Sequence, residues 1–233
     1  MKGKNKKRSN TKTGIESIRQ YIREQVKIRG IEHLSDILKE AKDSYSEEIQ
    51  KYGKDVEQSW KPFKGNLLEE IILEAILDEV DKLGLKVIRG KDLEKRKEDT
   101  LDECLGNVKR SIVVDYGEFG MHLPDADLII YDPRYCKAVA IISSKASLRE
   151  RIAQTGYWRI KLKSSPATRN VKVFFITLDE DGDLVVKKPT KKSRAIAEVD
   201  TDGTFVITLR EIQESGKVKT IDKLLDALKD LLV

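Results

Sequence analysis

Asp125 follows Pro124 at the head of one apolar segment, and Ser143-Ser144-Lys145 closes the next. Residues 126–131 and 137–143 read as strands joined through the turn signal Asp132-Pro133-Arg134. A hairpin sets the start of its first strand beside the end of its second, so Asp125 and Lys145 are expected close together. Ser143 and Lys145 then share a strand face. A carboxylate able to bind a divalent cation, next to a lysine able to hold a water, suits phosphodiester cleavage. Asp127 shares the face of Asp125; it is either a second ligand or, more simply, exposed.

The elements that must position this pair are legible in outline. Residues 1–14 hold six basic residues and no acid, and are expected to form a disordered basic arm. Residues 15–60 repeat apolar positions at three- and four-residue steps (Ile15, Ile18, Ile22; Leu34, Ile37, Leu38, Ala41), which predicts a helical subdomain broken at Gly30. Gly53, Pro62 and Gly65 mark a boundary, and residues 61–233 read as one α/β domain. That domain opens with a long helix over 66–83, ended by Gly84. Strands are expected at 85–88, 112–114, 171–178, 184–186 and 204–209, and helices at 148–161 and 221–232.

Composition excludes several classes. No run of apolar residues is long enough to span a membrane, and the N-terminus has no apolar core of a signal peptide, so a cytoplasmic location is expected. Cys104 and Cys136, far apart and without histidine partners, argue against a disulfide framework or a structural zinc site. His33 and His122 are too few for a histidine-rich metal centre. Removing the six basic residues of the arm from the net charge of +5 leaves −1 for the rest, so a polyanionic partner must be met by local patches. Lys187, Lys188, Lys191, Lys192 and Arg194 form one such patch, suited equally to phosphate contact or to a solvated loop. Asp179, Asp181 and Asp183 fail the calcium-loop spacing and read as a hairpin turn.

Pro124-Asp125, seventeen residues, then Ser143-Ser144-Lys145 resembles the PD-(D/E)XK nuclease superfamily. Ser143 stands where an acid is usual, and a lone carboxylate would hold Mg²⁺ weakly. Some members supply a glutamate from a helix, and Gly65-Asn66-Leu67-Leu68-Glu69 resembles that motif. On a wheel of about 100° per residue Glu69 borders the buried stripe of Leu68, Ile72 and Ile76, whereas Glu70 points away. Arg149-Glu150-Arg151 resembles the Arg-(Asp/Glu)-Arg motif with which restriction endonucleases of the CCGG and CCNGG group read their sites; arginine can bind guanine O6 and N7, and a carboxylate can accept from cytosine N4. Glu150 is thereby the alternative acid to Glu69. Together with Trp60-x-Pro62-Phe63-Lys64, the motif order is most similar to BsaWI-type enzymes.

The resemblance implies a central mixed β-sheet flanked by helices, with Asp125, Lys145 and Glu69 catalytic. Mg²⁺ would lie between Asp125, Glu69 and the Ser144 carbonyl, and Arg149, Glu150, Arg151 and Gln154 would contact double-stranded DNA. It implies a homodimer, since a palindromic site demands two-fold symmetry. The alternatives are a structure-selective or repair nuclease on the same fold, or a DNA-binding protein with an inactive site, an option kept open by Ser143.

Overall fold

The computed structural model describes the backbone of residues 2–53, 55–95, 100–148 and 151–232, with side chains from residue 14 to residue 231 within those ranges. Three long helices come first: α1 (Lys2–Arg29), α2 (Leu34–Gln50) and α3 (Val56–Lys82). Gly30, at φ 96°, turns the chain between the first two, a conformation that costs a side-chain-bearing residue more. Of the arm expected to be disordered over residues 1–14, residues 2–14 are instead part of α1, and residue 1 lies outside the described residues. The arm's five lysines and Arg8 are good helix formers and no proline interrupts them.

Asp55 caps α3, accepting from the Gln58 N–H at 2.7 Å. The boundary expected near residue 60 is therefore no break, because Pro62 and Gly65 lie inside this helix. Trp60 and Phe63 turn toward Tyr45 of α2, with ring centroids 4.6–4.9 Å from it, while Leu68, Ile72 and Ile76 continue the same buried stripe. One apolar core runs from Ile22 and Leu34 through α3 to Leu128, Ile142, Phe174 and Phe205 of the sheet. The N-terminal helices are thus a layer of the same body as the sheet, not a separate packing unit.

The sheet has six strands. β1 (Lys86–Arg89) leads through the short helix α4 (Gly90–Lys95) to α5 (Glu103–Arg110) and a two-stranded ribbon, β2 (Val114–Asp115) with β3 (Met121–His122). The hairpin of β4 (Leu128–Asp132) and β5 (Lys137–Lys145) follows, then α6 (Arg151–Lys163), β6 (Lys172–Thr177), α7 (Lys192–Asp200), β7 (Gly203–Val206), β8 (Val218–Thr220) and α8 (Leu224–Lys229). Strand order is β1-β4-β5-β6-β7-β8, antiparallel from β1 to β5 and parallel from there on. β5 and β6 are almost wholly apolar or buried, as central strands covered on both faces must be. Helices cover the two sides, and the architecture is the mixed α/β one expected. Among the described residues, no helix is long and apolar enough to cross a membrane.

Three local readings are corrected. Residues 184–186 form no strand, because the Asp179 carboxylate takes the N–H groups of Asp183 and Leu184, each at 2.9 Å, and folds the chain into a compact loop. Burial holds that carboxyl above the usual range, opposed by these two N–H donors. The basic patch that follows enters α7, where Arg194 is fully buried, pairing with Glu198 and donating to the carbonyls of Leu184 and Gln213. It therefore braces the loop and is not open to phosphate, whereas Lys187, Lys188 and Lys192 remain exposed.

Cys104 and Cys136 are disulfide-bonded, contrary to the sequence expectation, with Cα atoms 4.9 Å apart. α5 brings Cys104 over the turn that ends in Cys136, a proximity across 32 residues that spacing cannot signal. Closing a loop of that length should stabilise the fold by about 3–4 kcal/mol through the unfolded chain. Urea unfolding with and without dithiothreitol is expected to show a loss of that order; coincident curves would remove the bond from the account.

Candidate active site

The β4–β5 hairpin builds the centre of the site. Leu128 pairs with Ile142, and the Asp127 N–H donates to the Ile142 carbonyl at 2.9 Å, so the same register carries Asp127 across from Ser143. Asp127 therefore stands opposite the position that lacks an acid. Its Oδ2 accepts from the Ser144 N–H at 2.6 Å and from Ser144 Oγ at 3.3 Å. Lys145 Nζ lies 3.1 Å from Asp127 Oδ2 and 3.8 Å from Asp125 Oδ2. The Lys145 side chain is only 11% exposed, so its ammonium is presented to these carboxylates and to little else.

The two aspartates differ in setting. Asp125 is 46% exposed and borders a smaller recess with Pro124, Gly90 and Trp158. Asp127, expected to be exposed, is 20% exposed and lines the main cavity. That cavity, about 640 Å³, is also lined by Glu69, Ser144, Lys145, Arg151 and Lys64. Asp125 and Lys145 do come together, but Asp127 shares the cavity with Glu69 and Asp125 does not.

Glu69 is buried on α3, as the wheel anticipated, and is held by partners the sequence did not indicate. Lys91 Nζ is 3.0 Å from Oε1 and donates to Oε2 at 3.2 Å, while Arg89 Nε is 3.6 Å from Oε1. Oε1 is buried and, despite these nearby cations, makes no hydrogen bond of good geometry. Its neighbour Glu70 points the other way, onto Arg19 and Arg23 of α1. Gly90 is a further residue that sequence reasoning missed. A Cβ there would come within 1.8 Å of the Ala126 carbonyl oxygen, and the Gly90 N–H donates to the Asp127 carbonyl at 2.9 Å. The only hint in the sequence was a lone glycine after a strand. Gly90→Ala must push the 126–127 segment aside; cleavage is expected to fall about 10²-fold, and wild-type rates would show that the segment's position is unimportant.

Of the proposed base readers, Arg149 and Glu150 lie outside the described residues. Arg151 opens α6, is exposed and reaches the rim of the main cavity. Gln154 is exposed on α6. His122 is exposed too, with Nε2 3.0 Å from the Phe119 carbonyl oxygen.

No group of three or more Asp, Glu, His or Cys stands assembled as a metal site among the described residues. The residues that do line the cavity are nevertheless of the kind a hard cation takes: three carboxylates, Asp127, Glu69 and Glu180, with Ser144 beside them. Of the three, Glu180 is already paired with Lys64 at 3.1 Å. The incompletely satisfied Glu69 Oε1 fits such a ligand as well.

A mixed six-stranded sheet covered by helices, with the β4–β5 hairpin at its centre and a long helix across it, is the restriction-endonuclease architecture. Solved structures agree on the fold. A specific complex of the restriction endonuclease AgeI with DNA superposes with a TM-score of 0.64 at 17% identity, over 93% of this chain and 84% of that one. The restriction endonuclease PspGI with substrate DNA gives 0.52 at 14% identity, over 98% and 92%.

Residues 104–227 match the family described as BsaWI restriction endonuclease type 2. A Methanocaldococcus jannaschii protein assigned by name to the type II restriction enzymes (MjaVIP) is 36% identical over 220 residues, 88% of this chain and 95% of that protein. A Helicobacter pylori protein likewise named (HpyAORF263P) is 34% identical over 168 residues, 72% of this chain and 82% of that one. The chain belongs to the BsaWI family of type II restriction endonucleases.

Proposed function

We propose that this protein hydrolyses both strands of a palindromic, GC-rich DNA site of the CCGG type, with Mg²⁺ as cofactor and as a homodimer. The observation that carries this reading is the cavity that gathers Asp127, Glu69, Ser144 and Lys145 near the start of α6. Asp127, Glu69 and the Ser144 carbonyl would hold the cation, with Asp125 beside Lys145 in the neighbouring recess. Bound there, Mg²⁺ would polarise the phosphate and lower the pKa of a water.

The chain's own residues do the rest. Lys145, braced by the two aspartates, aligns the water and neutralises charge that develops on the phosphoryl oxygens. The water oxygen attacks phosphorus in line, the bond to the 3′ oxygen breaks, and 5′-phosphate and 3′-hydroxyl ends result. Arg151, at the cavity rim, is placed to enter the major groove beside the scissile strand, and Arg149 and Glu150 would complete the readout. Exposed Lys187, Lys188 and Lys192 follow β6 at its catalytic end and would contact backbone phosphates. A cytoplasmic location accords with such a substrate.

A digest of unmethylated plasmid and phage DNA tests the reading. Discrete fragments are expected with Mg²⁺ and none with EDTA, with cutting restored when Mg²⁺ is returned in excess. A smear would replace sequence specificity by structure selectivity. Intact DNA with Mg²⁺ at every temperature would favour a binding protein, the outcome that Ser143 in place of an acid leaves open.

A further inference from the structure

The opposite end of the sheet carries a charge cluster that the cleavage site does not use. β6 begins at Lys172 and ends at Thr177, and Thr177 is the residue paired with Lys145. At about 3.3 Å per residue, the start of β6 lies roughly 17 Å from the catalytic end. Here α6 ends with Arg159 and Lys163 close by, and the chain entering β8 adds Lys217 and Lys219. A recess of about 210 Å³ opens between Lys172, Asp202, Lys217 and Lys219, floored by Phe174 and Phe205.

Charge in this recess is not balanced. Asp202 is the inner acid: Arg159 Nε is 3.2 Å and Lys217 Nζ 4.0 Å from its Oδ1, while its Oδ2 accepts from the Val173 N–H at 2.9 Å. Asp230 is the second acid, on the recess wall. Three lysines thus line the recess with two carboxylates, of which Asp202 is already engaged by the backbone and by Arg159 behind it. Arg159 Nε is buried without a hydrogen bond. Lys163 and Lys217 are both held below the usual lysine range, by burial first; Asp202 opposes this at both and Glu198 at Lys217, while Lys172 and Arg159 add to it by repulsion. Cations gathered against mutual repulsion around a recess are stabilised by a bound anion.

We propose that this edge is a phosphate-binding site, distinct from the cleavage cavity, and that its occupant is the backbone of a second DNA segment. The recess admits one tetrahedral phosphate group, and Lys172, Lys217 and Lys219 present ammonium donors of the kind that positions DNA without reading it. Free phosphate offers the same chemistry and is the other possible source. The choice of DNA rests on the function proposed above; the existence of a phosphate site does not.

The test compares the full-length protein with Lys172→Gln/Lys217→Gln, using inorganic phosphate as probe and sodium chloride as the ionic control. Phosphate is expected to raise the melting temperature of the wild type and of Lys145→Ala, and not that of the double variant. Loss of the response in Lys145→Ala would put the anion in the cleavage cavity and overturn the proposal. An equal response in wild type and double variant, or none in either, would overturn it as well. Lys217 also donates to the Thr201 carbonyl at 3.1 Å, so circular dichroism checks folding. Single Lys172→Gln and Lys219→Gln variants serve if the double variant does not fold. The DNA source is read from salt dependence: saturating a second duplex equivalent should show a log–log slope shallower by about 1 in the double variant, one phosphate contact being lost. An unchanged slope, with the phosphate response lost, would keep the site and exclude DNA as its occupant.

Discussion

Lys145→Ala should lower the cleavage rate at least about 10³-fold while leaving specific DNA binding intact, the loss expected when a positioned charge at the reacting phosphate is removed. The site explains both halves. Lys145 is the cation between Asp125 and Asp127, yet it is one side chain at the strand end and the sheet beneath it is held by β4 and β6. Removing it leaves two neighbouring carboxylates unneutralised, which a divalent cation relieves, so DNA affinity in Ca²⁺ is expected to persist. Gel-shift titration and single-turnover cleavage measured on the same variant separate the effects. Undiminished cutting would take Lys145 out of the chemistry; lost binding would make it a structural residue.

The second large effect distinguishes the aspartates. Asp127→Asn is expected to cost about 10³-fold or more in cleavage, because Asp127 faces the cavity that Glu69 also lines. Asp125→Asn should stay within about tenfold, since that carboxylate is half exposed and lies 3.8 Å from Lys145, where it adds charge more than a ligand position. Raising the Mg²⁺ concentration should rescue Asp125→Asn and not Asp127→Asn. The reverse ranking would restore Asp125 as the principal ligand. Comparable losses in both would mean that the two act as a unit, with non-additive effects in the double variant.

The parts of this site written locally in the chain were readable there. A proline-led turn between two apolar runs signalled the β4–β5 hairpin, and with it the meeting of Asp125 and Lys145. Helical periodicity placed Glu69 on the edge of the buried stripe of α3. Choosing between Asp125 and Asp127 was harder, because alternation puts both on one face and only the register, with Asp127 across from Ser143, tells them apart. Lys91 and Gly90 gave no local sign of their contacts with Glu69 and Ala126, which arise where α4 crosses the head of β4. α7 was hidden by the lysines at its start, since it buries little beyond Arg194 and Ala197. β8, with three residues, is too short to show a period.

The length of α3 limits how such an enzyme can be recombined. Trp60 and Glu69 are nine residues apart on a single rod, about 14 Å at 1.5 Å per residue; the former is clamped by Tyr45 of the N-terminal layer and the latter lines the cavity. A graft that exchanges the first sixty residues between relatives would re-seat that rod and shift the carboxylate with it. Chimeras should keep their activity when the crossover lies past Lys82, so that α2 and α3 are inherited together, and lose it when the join falls between them.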